Sequence, residues 1–175
     1  MLTRRYFLGR LFLGAIGVGG LSLFTNRLAA QNNTDDQSSN TMSNETIEKI
    51  ELSKKEWMDR LTPEQYDVLR NAGTERPFTS PLDKLFDDGT YVCAGCDLPL
   101  FKSETKFDSG TGWPSFYAGI EGNIETKTDF KLILPRTEYH CARCGGHQGH
   151  VFNDGPQPTG KRYCNNGVAL KFIPA

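Results

Sequence analysis

Excess charge of either sign is missing from this chain. Its formal net charge at neutral pH is −1, and residues 1–30 hold Arg4, Arg5, Arg10 and Arg27 with no acid, so without them the balance falls to −5. The lack of a basic surplus argues against a nucleic-acid role. Also missing are an internal repeat beyond two cysteine pairs, a helical period past Gly73, and the length for a second ordinary domain. About 130 residues remain after residue 44, enough for one core. Cysteine is scarce as well: of five, Cys93/Cys96 and Cys141/Cys144 form two C-x-x-C pairs, and Cys164 has no mate. A tetrahedral thiolate site consumes four sulfurs, so this arithmetic predicts a closed metal centre plus one chemically available thiol.

Residues 3–8 read T-R-R-Y-F-L and precede a glycine-rich apolar stretch over residues 11–24 that ends near Leu28-Ala29-Ala30. That is the form of a twin-arginine export signal over residues 1–30, or, read otherwise, of an uncleaved anchor. The expected location is the periplasm or an equivalent lumenal compartment, with membrane contact confined to the signal. Residues 31–44, a run of Gln, Asn, Ser, Thr and Asp with little to bury, are expected to form a disordered linker, and residues 45–175 the folded domain.

Within that domain, S-K-K-E at residues 53–56 and T-P-E-Q at 62–65 have capping-box form. Pro63 sits at a first-turn position and Gly73 is a plausible stop, which predicts two short helices. Short runs at residues 90–92, 130–134, 149–152 and 167–172, separated by Gly, Pro, Asp and Asn, predict a small, mainly antiparallel β domain. Ala94-Gly95 and Gly145-Gly146 allow the tight turns that aim two thiolates at one ion from hairpin ends.

Two C-x-x-C pairs about 44 residues apart predict a four-thiolate zinc site, one structural zinc per chain, held by Cys93, Cys96, Cys141 and Cys144. Four cysteines in an exported protein also permit two disulfides, and an iron-thiolate centre is a further alternative. Export of an already folded chain favours the metal.

From Cys141 the chain reads CARCGGHQGHVFNDGPQPTGKRYCNN. With G-T-G-W-P-S-F at residues 110–116, L-T-P-E-Q-Y at 61–66 and G-T-E-R-P-F at 73–78, it resembles the B-type peptide-methionine sulfoxide reductases, which reduce the R epimer, over about residues 53–172. The resemblance implies two antiparallel sheets in a tent- or barrel-like domain, clamped by zinc, with two or three short N-terminal helices. It further implies Cys164 as nucleophile, His147, His150 and Asn166 as active-site polar residues, Trp113 as the methyl-pocket residue, and the four paired cysteines as zinc ligands.

The residues themselves support the same chemistry. Reducing a sulfoxide requires a nucleophile for sulfur, an acid for the departing oxygen and an apolar wall for the methyl group. Cys164 supplies the first, with Arg162 and an imidazole expected to favour its thiolate; His150 or His147 supplies the second; Trp113 and Phe152 supply the third. Asn166 would orient substrate or water. Arg162 and Asp154 serve equally well as a structural ion pair, and His140 is expected to be merely exposed. The opposing readings are a zinc-stapled binding module, with Cys164 as core filler, and a thiol peroxidase. Many relatives place a resolving cysteine where this chain has Thr111, so recycling is expected to need an external, thioredoxin-like thiol reductant. The expected partners are oxidised proteins or peptides carrying methionine-R-sulfoxide, and the expected state is a monomer.

Overall fold

Both helices begin where the capping residues put them. The computed structural model describes residues 47–131 and 134–175, so the expectations for the export signal and linker lie outside the described residues. Helix α1 (Lys54–Arg60) starts from Ser53 and α2 (Pro63–Asn71) from Thr62. Each N-cap hydroxyl accepts from the backbone N–H of Glu56 or Gln65, and that residue's side chain accepts in return from the cap's own N–H, at 2.7 Å and 3.1 Å. Such a cap stabilises a short helix by about 1 kcal/mol. Helix α2 ends one residue earlier than expected, on Ala72 in the left-handed conformation, and the Gly73 N–H closes on the Asp67 carbonyl. Among the described residues no helix is long and apolar enough to cross a membrane.

Two antiparallel sheets follow. The smaller joins β1 (Gly89–Cys93), β2 (Pro99–Lys102) and β9 (Leu170–Pro174) in the order β2-β1-β9. The larger contains β3 (Lys106–Phe107), β4 (Ser115–Phe116), β5 (Ile124–Asp129), β6 (Arg136–Cys141), β7 (His147–Phe152) and β8 (Arg162–Asn165), ordered β3-β4-β8-β7-β6-β5. Their aromatic faces meet in one core. Phe101 stacks on Phe116 at 4.1 Å between ring centres, Tyr91 meets Phe116 edge-on at 4.9 Å, and Tyr139 meets Tyr163 at 5.3 Å. Each such burial contributes about 2–3 kcal/mol, which lets so many short strands hold together.

The described residues of the run at 130–134 do not form the expected strand. They lie in the connection between β5 and β6, with Phe130 and Leu134 each 76 % exposed. The more polar flanks pair instead, from Ile124 opposite Cys141 to Asp129 opposite Arg136. An edge strand with one wet face needs no continuous apolar run.

Candidate active site

Strand register assembles a row of side chains that no local motif reveals. Cys164 in β8 lies opposite Ser115 in β4 on one side and His150 in β7 on the other; His150 faces Glu138 in β6, and Glu138 faces Lys127 in β5. Directly opposed residues of antiparallel strands point to the same face, so these groups share one surface of the larger sheet. Gly149 permits the close approach of β7 to β8, because a β-carbon there would lie 1.9 Å from the Cys164 carbonyl oxygen. A cavity of about 130 Å³ opens over the row, lined by Cys164, His150, Trp113, Phe152, Asn166 and Arg136 among others.

Trp113 is held from outside its own motif. Its indole N–H donates to the Glu75 carbonyl at 3.2 Å, and the Glu75 N–H donates to the Asn166 side-chain oxygen at 3.0 Å. The Glu75 carboxylate accepts from the Gly167 and Val168 N–H groups just beyond. Residues 74–78 therefore tie the indole to the strand end that follows Cys164. Gly112 has φ of +86°, and a β-carbon there would meet the Phe78 nitrogen at 2.7 Å, so only glycine admits this packing.

Asp129 organises the acid side of the cavity. Its carboxylate is 2.8 Å from His150 Nε2 and 2.7 Å from Arg136. The Lys131 backbone N–H, the His150 ring and Arg136 hold this carboxyl well below the usual carboxylate range, so it stays ionised. An ionised carboxylate only accepts, hence His150 Nε2 carries hydrogen and its other ring nitrogen is left for the cavity. His147 is buried beside it, rings 5.5 Å apart, and does not line the cavity. Its Nδ1 is 2.9 Å from Glu138 but off the line of a hydrogen bond. Burial pushes the His147 ring down from its ordinary range, against the upward pull of Glu138.

The Cys164 thiol does not follow the expected lowering. Burial raises it, outweighing the opposite pulls of Arg162 and the Thr111 hydroxyl, and no imidazole contributes. Arg162 lies outside the cavity lining. Its guanidinium makes two 2.9 Å hydrogen bonds to Asp154 and stacks on Phe152 at 4.3 Å, so the ion-pair reading of Arg162 and Asp154 is the observed geometry. His140, expected to be exposed, is 16 % exposed at its side chain, with Nε2 3.3 Å from Glu125.

The other four cysteines converge at the junction of the sheets. Cys93 ends β1 and Cys141 ends β6, and each chain then turns back so that the N–H of residue 97 or 145 bonds to the first cysteine's carbonyl. Asp97 and Gly145 take matching left-handed conformations at φ of +59° and +66°. All four sulfurs are buried and unbonded and lie within 4.8 Å of one another. Tetrahedral zinc with bonds of ~2.3 Å sets its sulfurs roughly 3.8 Å apart, so the donor set and spacing fit that ion. Neither His147 nor His150 belongs to this cluster.

A family profile, the SelR domain, matches residues 61–174. The peptide methionine sulfoxide reductase MsrB of Agrobacterium fabrum is 52 % identical over 134 residues, which is 76 % of this chain and 99 % of that protein. The protein of the same name in Leptospira interrogans is 53 % identical over 70 % of this chain and 95 % of its own length. The chloroplastic peptide methionine sulfoxide reductase B1 of Arabidopsis thaliana is 54 % identical over 76 % of this chain and 66 % of its own length. The chain belongs to the B-type methionine-R-sulfoxide reductase family. In this member of the B-type reductases, Thr74, Glu75, Asp129 and Arg136 surround or support the cavity without having been singled out from sequence. Thr74 and Glu75 stand in the G-T-E-R-P-F segment, a signal that was available. Asp129 and Arg136 carried none, because they meet His150 only through the pairing of β5, β6 and β7.

Proposed function

We propose that this chain is an exported enzyme that reduces the R epimer of methionine sulfoxide in proteins or peptides, with Cys164 as nucleophile and a structural zinc on the four remaining cysteines. One observation carries the reading: a single uncommitted thiol opens beside His150 into a cavity walled by Trp113 and Phe152. The localisation rests on the twin-arginine pattern of residues 1–30. The zinc rests on a four-sulfur donor set, and its contribution is to pin β1 to β6.

Cys164 enters as the thiol, in keeping with its burial. Its sulfur bonds to the substrate sulfur as the sulfoxide oxygen is protonated. That oxygen then passes to the Cys164 sulfur while the S–S and S–O bonds to the substrate sulfur break, giving methionine and a Cys164 sulfenic acid. The thiol proton ends on the transferred oxygen, and His150 is placed to pass it. Cys164 sulfur is oxidised by two electrons and the substrate sulfur reduced by two. Two external thiols then return the sulfenic acid to the thiol, releasing water and their own disulfide. Trp113 and Phe152 fix the methyl group, Asn166 and Arg136 present polar atoms to the rest of the substrate, and Arg162 supports the nucleophile through Phe152 and its own charge.

Separated epimers test the function directly. A peptide carrying R-methionine sulfoxide is reduced and its S counterpart is not, because methyl and oxygen cannot exchange places between an indole face and a proton donor. Equal rates on both would sink this pocket. Trp113→Ala should raise KM and lower kcat together.

Asp129→Asn is expected to lower kcat by about tenfold or more, since general acid catalysis contributes ~10²–10⁴-fold. An unchanged kcat would leave Asp129 a purely structural acid.

Single turnover without reductant should leave a dimedone-reactive Cys164 and no intrachain disulfide, since Thr111 cannot form one and the paired cysteines are occupied. A mapped disulfide from Cys164 to any knuckle cysteine would defeat the external-reductant scheme.

A further inference from the structure

Three fully buried polar side chains, one of them at the cavity wall, have no part in the reaction above. Gln148, Asn165 and Tyr139 sit where the surrounding core is aliphatic and aromatic. Gln148 Nε2 donates to the Cys93 sulfur at 3.4 Å, and Gln148 Oε1 accepts from Asn165 Nδ2 at 3.4 Å. Asn165 Oδ1 accepts from the Tyr139 hydroxyl at 2.6 Å, while Asn165 Nδ2 also donates to the Asn166 carbonyl at 2.8 Å. The Gln148 carbonyl in turn accepts from both the backbone N–H and the side-chain amide of Asn166, each at 2.9 Å. One unbroken path of hydrogen bonds thus runs from a sulfur of the four-cysteine centre to the residues that follow Cys164, two of which line the cavity.

The path has a direction. A metal-bound thiolate only accepts, so Gln148 must turn its NH₂ toward Cys93 and its oxygen toward Asn165. Asn165 must then turn its NH₂ toward Gln148, leaving its own oxygen for the Tyr139 O–H. Each amide is set by the one before it. Leucine or valine would occupy such places without the desolvation that each amide demands, whereas a fully satisfied buried network holds its members in a single arrangement.

We propose that Gln148, Asn165 and Tyr139 are positioning residues that couple the four-cysteine metal centre to the strand presenting Cys164. Metal at the Cys93 sulfur orients the amides, and the amides hold the backbone beside the nucleophile. The coupling deepens the reading of Cys164 given above, and it carries a readout independent of turnover.

Cadmium-113 in place of the native metal supplies that readout, because its resonance responds to hydrogen bonding at the ligating sulfurs. Gln148→Leu should move the resonance and weaken metal binding in chelator competition by about tenfold, the lower end for loss of a partner to a metal ligand. Asn165→Val touches no ligand sulfur, yet it should move the resonance as well. In the double variant the resonance should match that of Gln148→Leu alone, since Asn165 then has no route to Cys93. Gln148→Leu touches no cavity residue's side chain except Asn165, and should lower kcat with KM unchanged. A resonance unmoved by Asn165→Val, or simple addition of the two shifts in the double variant, would overturn the coupling.

Lone buried amides can prevent folding, so a second comparison uses Gln148→Leu/Asn165→Val/Tyr139→Phe, which leaves none of the three polar groups behind. Capping Cys164 with iodoacetamide should move the cadmium resonance in the wild-type chain and leave it still in the triple variant. An equal shift in both overturns the coupling too. If the wild-type chain reduced no sulfoxide, the assignment of function would fall while the cadmium comparisons still decided the coupling.

Discussion

Cys164→Ser should leave a folded chain with its metal content intact and no measurable single-turnover reduction of a methionine sulfoxide peptide. The loss should be at least about a thousandfold, because an alcohol is a far weaker nucleophile than a thiol and no second thiol is available to replace it. Ser115, the cross-strand neighbour, cannot substitute, being fully buried and bonded to Ser109 and the Trp113 carbonyl. The change of sulfur to oxygen is nearly isosteric, so the melting temperature should move little. Alkylation of the wild-type thiol provides the companion measurement. Since burial raises the Cys164 thiol, its rate of reaction with iodoacetamide should still be climbing above about pH 8.5, where an ordinary cysteine begins to level off. Full single-turnover activity in the serine variant would remove Cys164 from the mechanism and with it the proposed chemistry.

Stripping the metal, or replacing one ligand by Cys93→Ser, should produce the largest loss of stability of any small change to this protein. The four sulfurs lie where the end of β1 meets the end of β6, so the ion joins a strand of the smaller sheet to a strand of the larger one. Helices α1 and α2 lean on the same place: Trp57, Leu69 and the Cys144 sulfur all close around Gly95, and Arg70 covers Trp57 while donating to the Cys144 carbonyl. Metal binding energy is here folding energy, and structural zinc sites supply roughly 10 kcal/mol or more in small domains. Losing even ~4 kcal/mol of it lowers the melting temperature of a domain this size by about 15 °C. Elemental analysis should show one zinc per chain before treatment, and differential scanning calorimetry should register the drop in step with its removal. A chelated protein that melted at the original temperature, or two disulfides in the active form, would show that the cysteines do not serve as a metal clamp.

Much of this could be read from residue order because the deciding interactions are local. A capping box is closed within four residues, so Ser53 and Thr62 announced their helices. A C-x-x-C knuckle is closed within five, so the hairpin-end cysteines were visible, and counting them isolated Cys164. What misled was equally local. An apolar composition at residues 130–134 suggested a strand, although pairing partners rather than composition decide where a ladder runs. The basic and imidazole neighbours of Cys164 suggested a lowered thiol, but proximity in sequence carries no information about burial, and burial proved the larger influence.

Residue order by itself thus determined the helix starts, the mainly β character, the four-plus-one division of the cysteines and the family. Tertiary structure alone decided which groups complete the chemistry. Asp129 reaches His150 across 21 positions, Glu75 reaches the Trp113 indole across 38, and Gln148 reaches the Cys93 sulfur across 55. These contacts depend on strand register, where a shift of one residue turns every side chain to the opposite face, and register is set by the packing of the whole core rather than by any spacing along the chain.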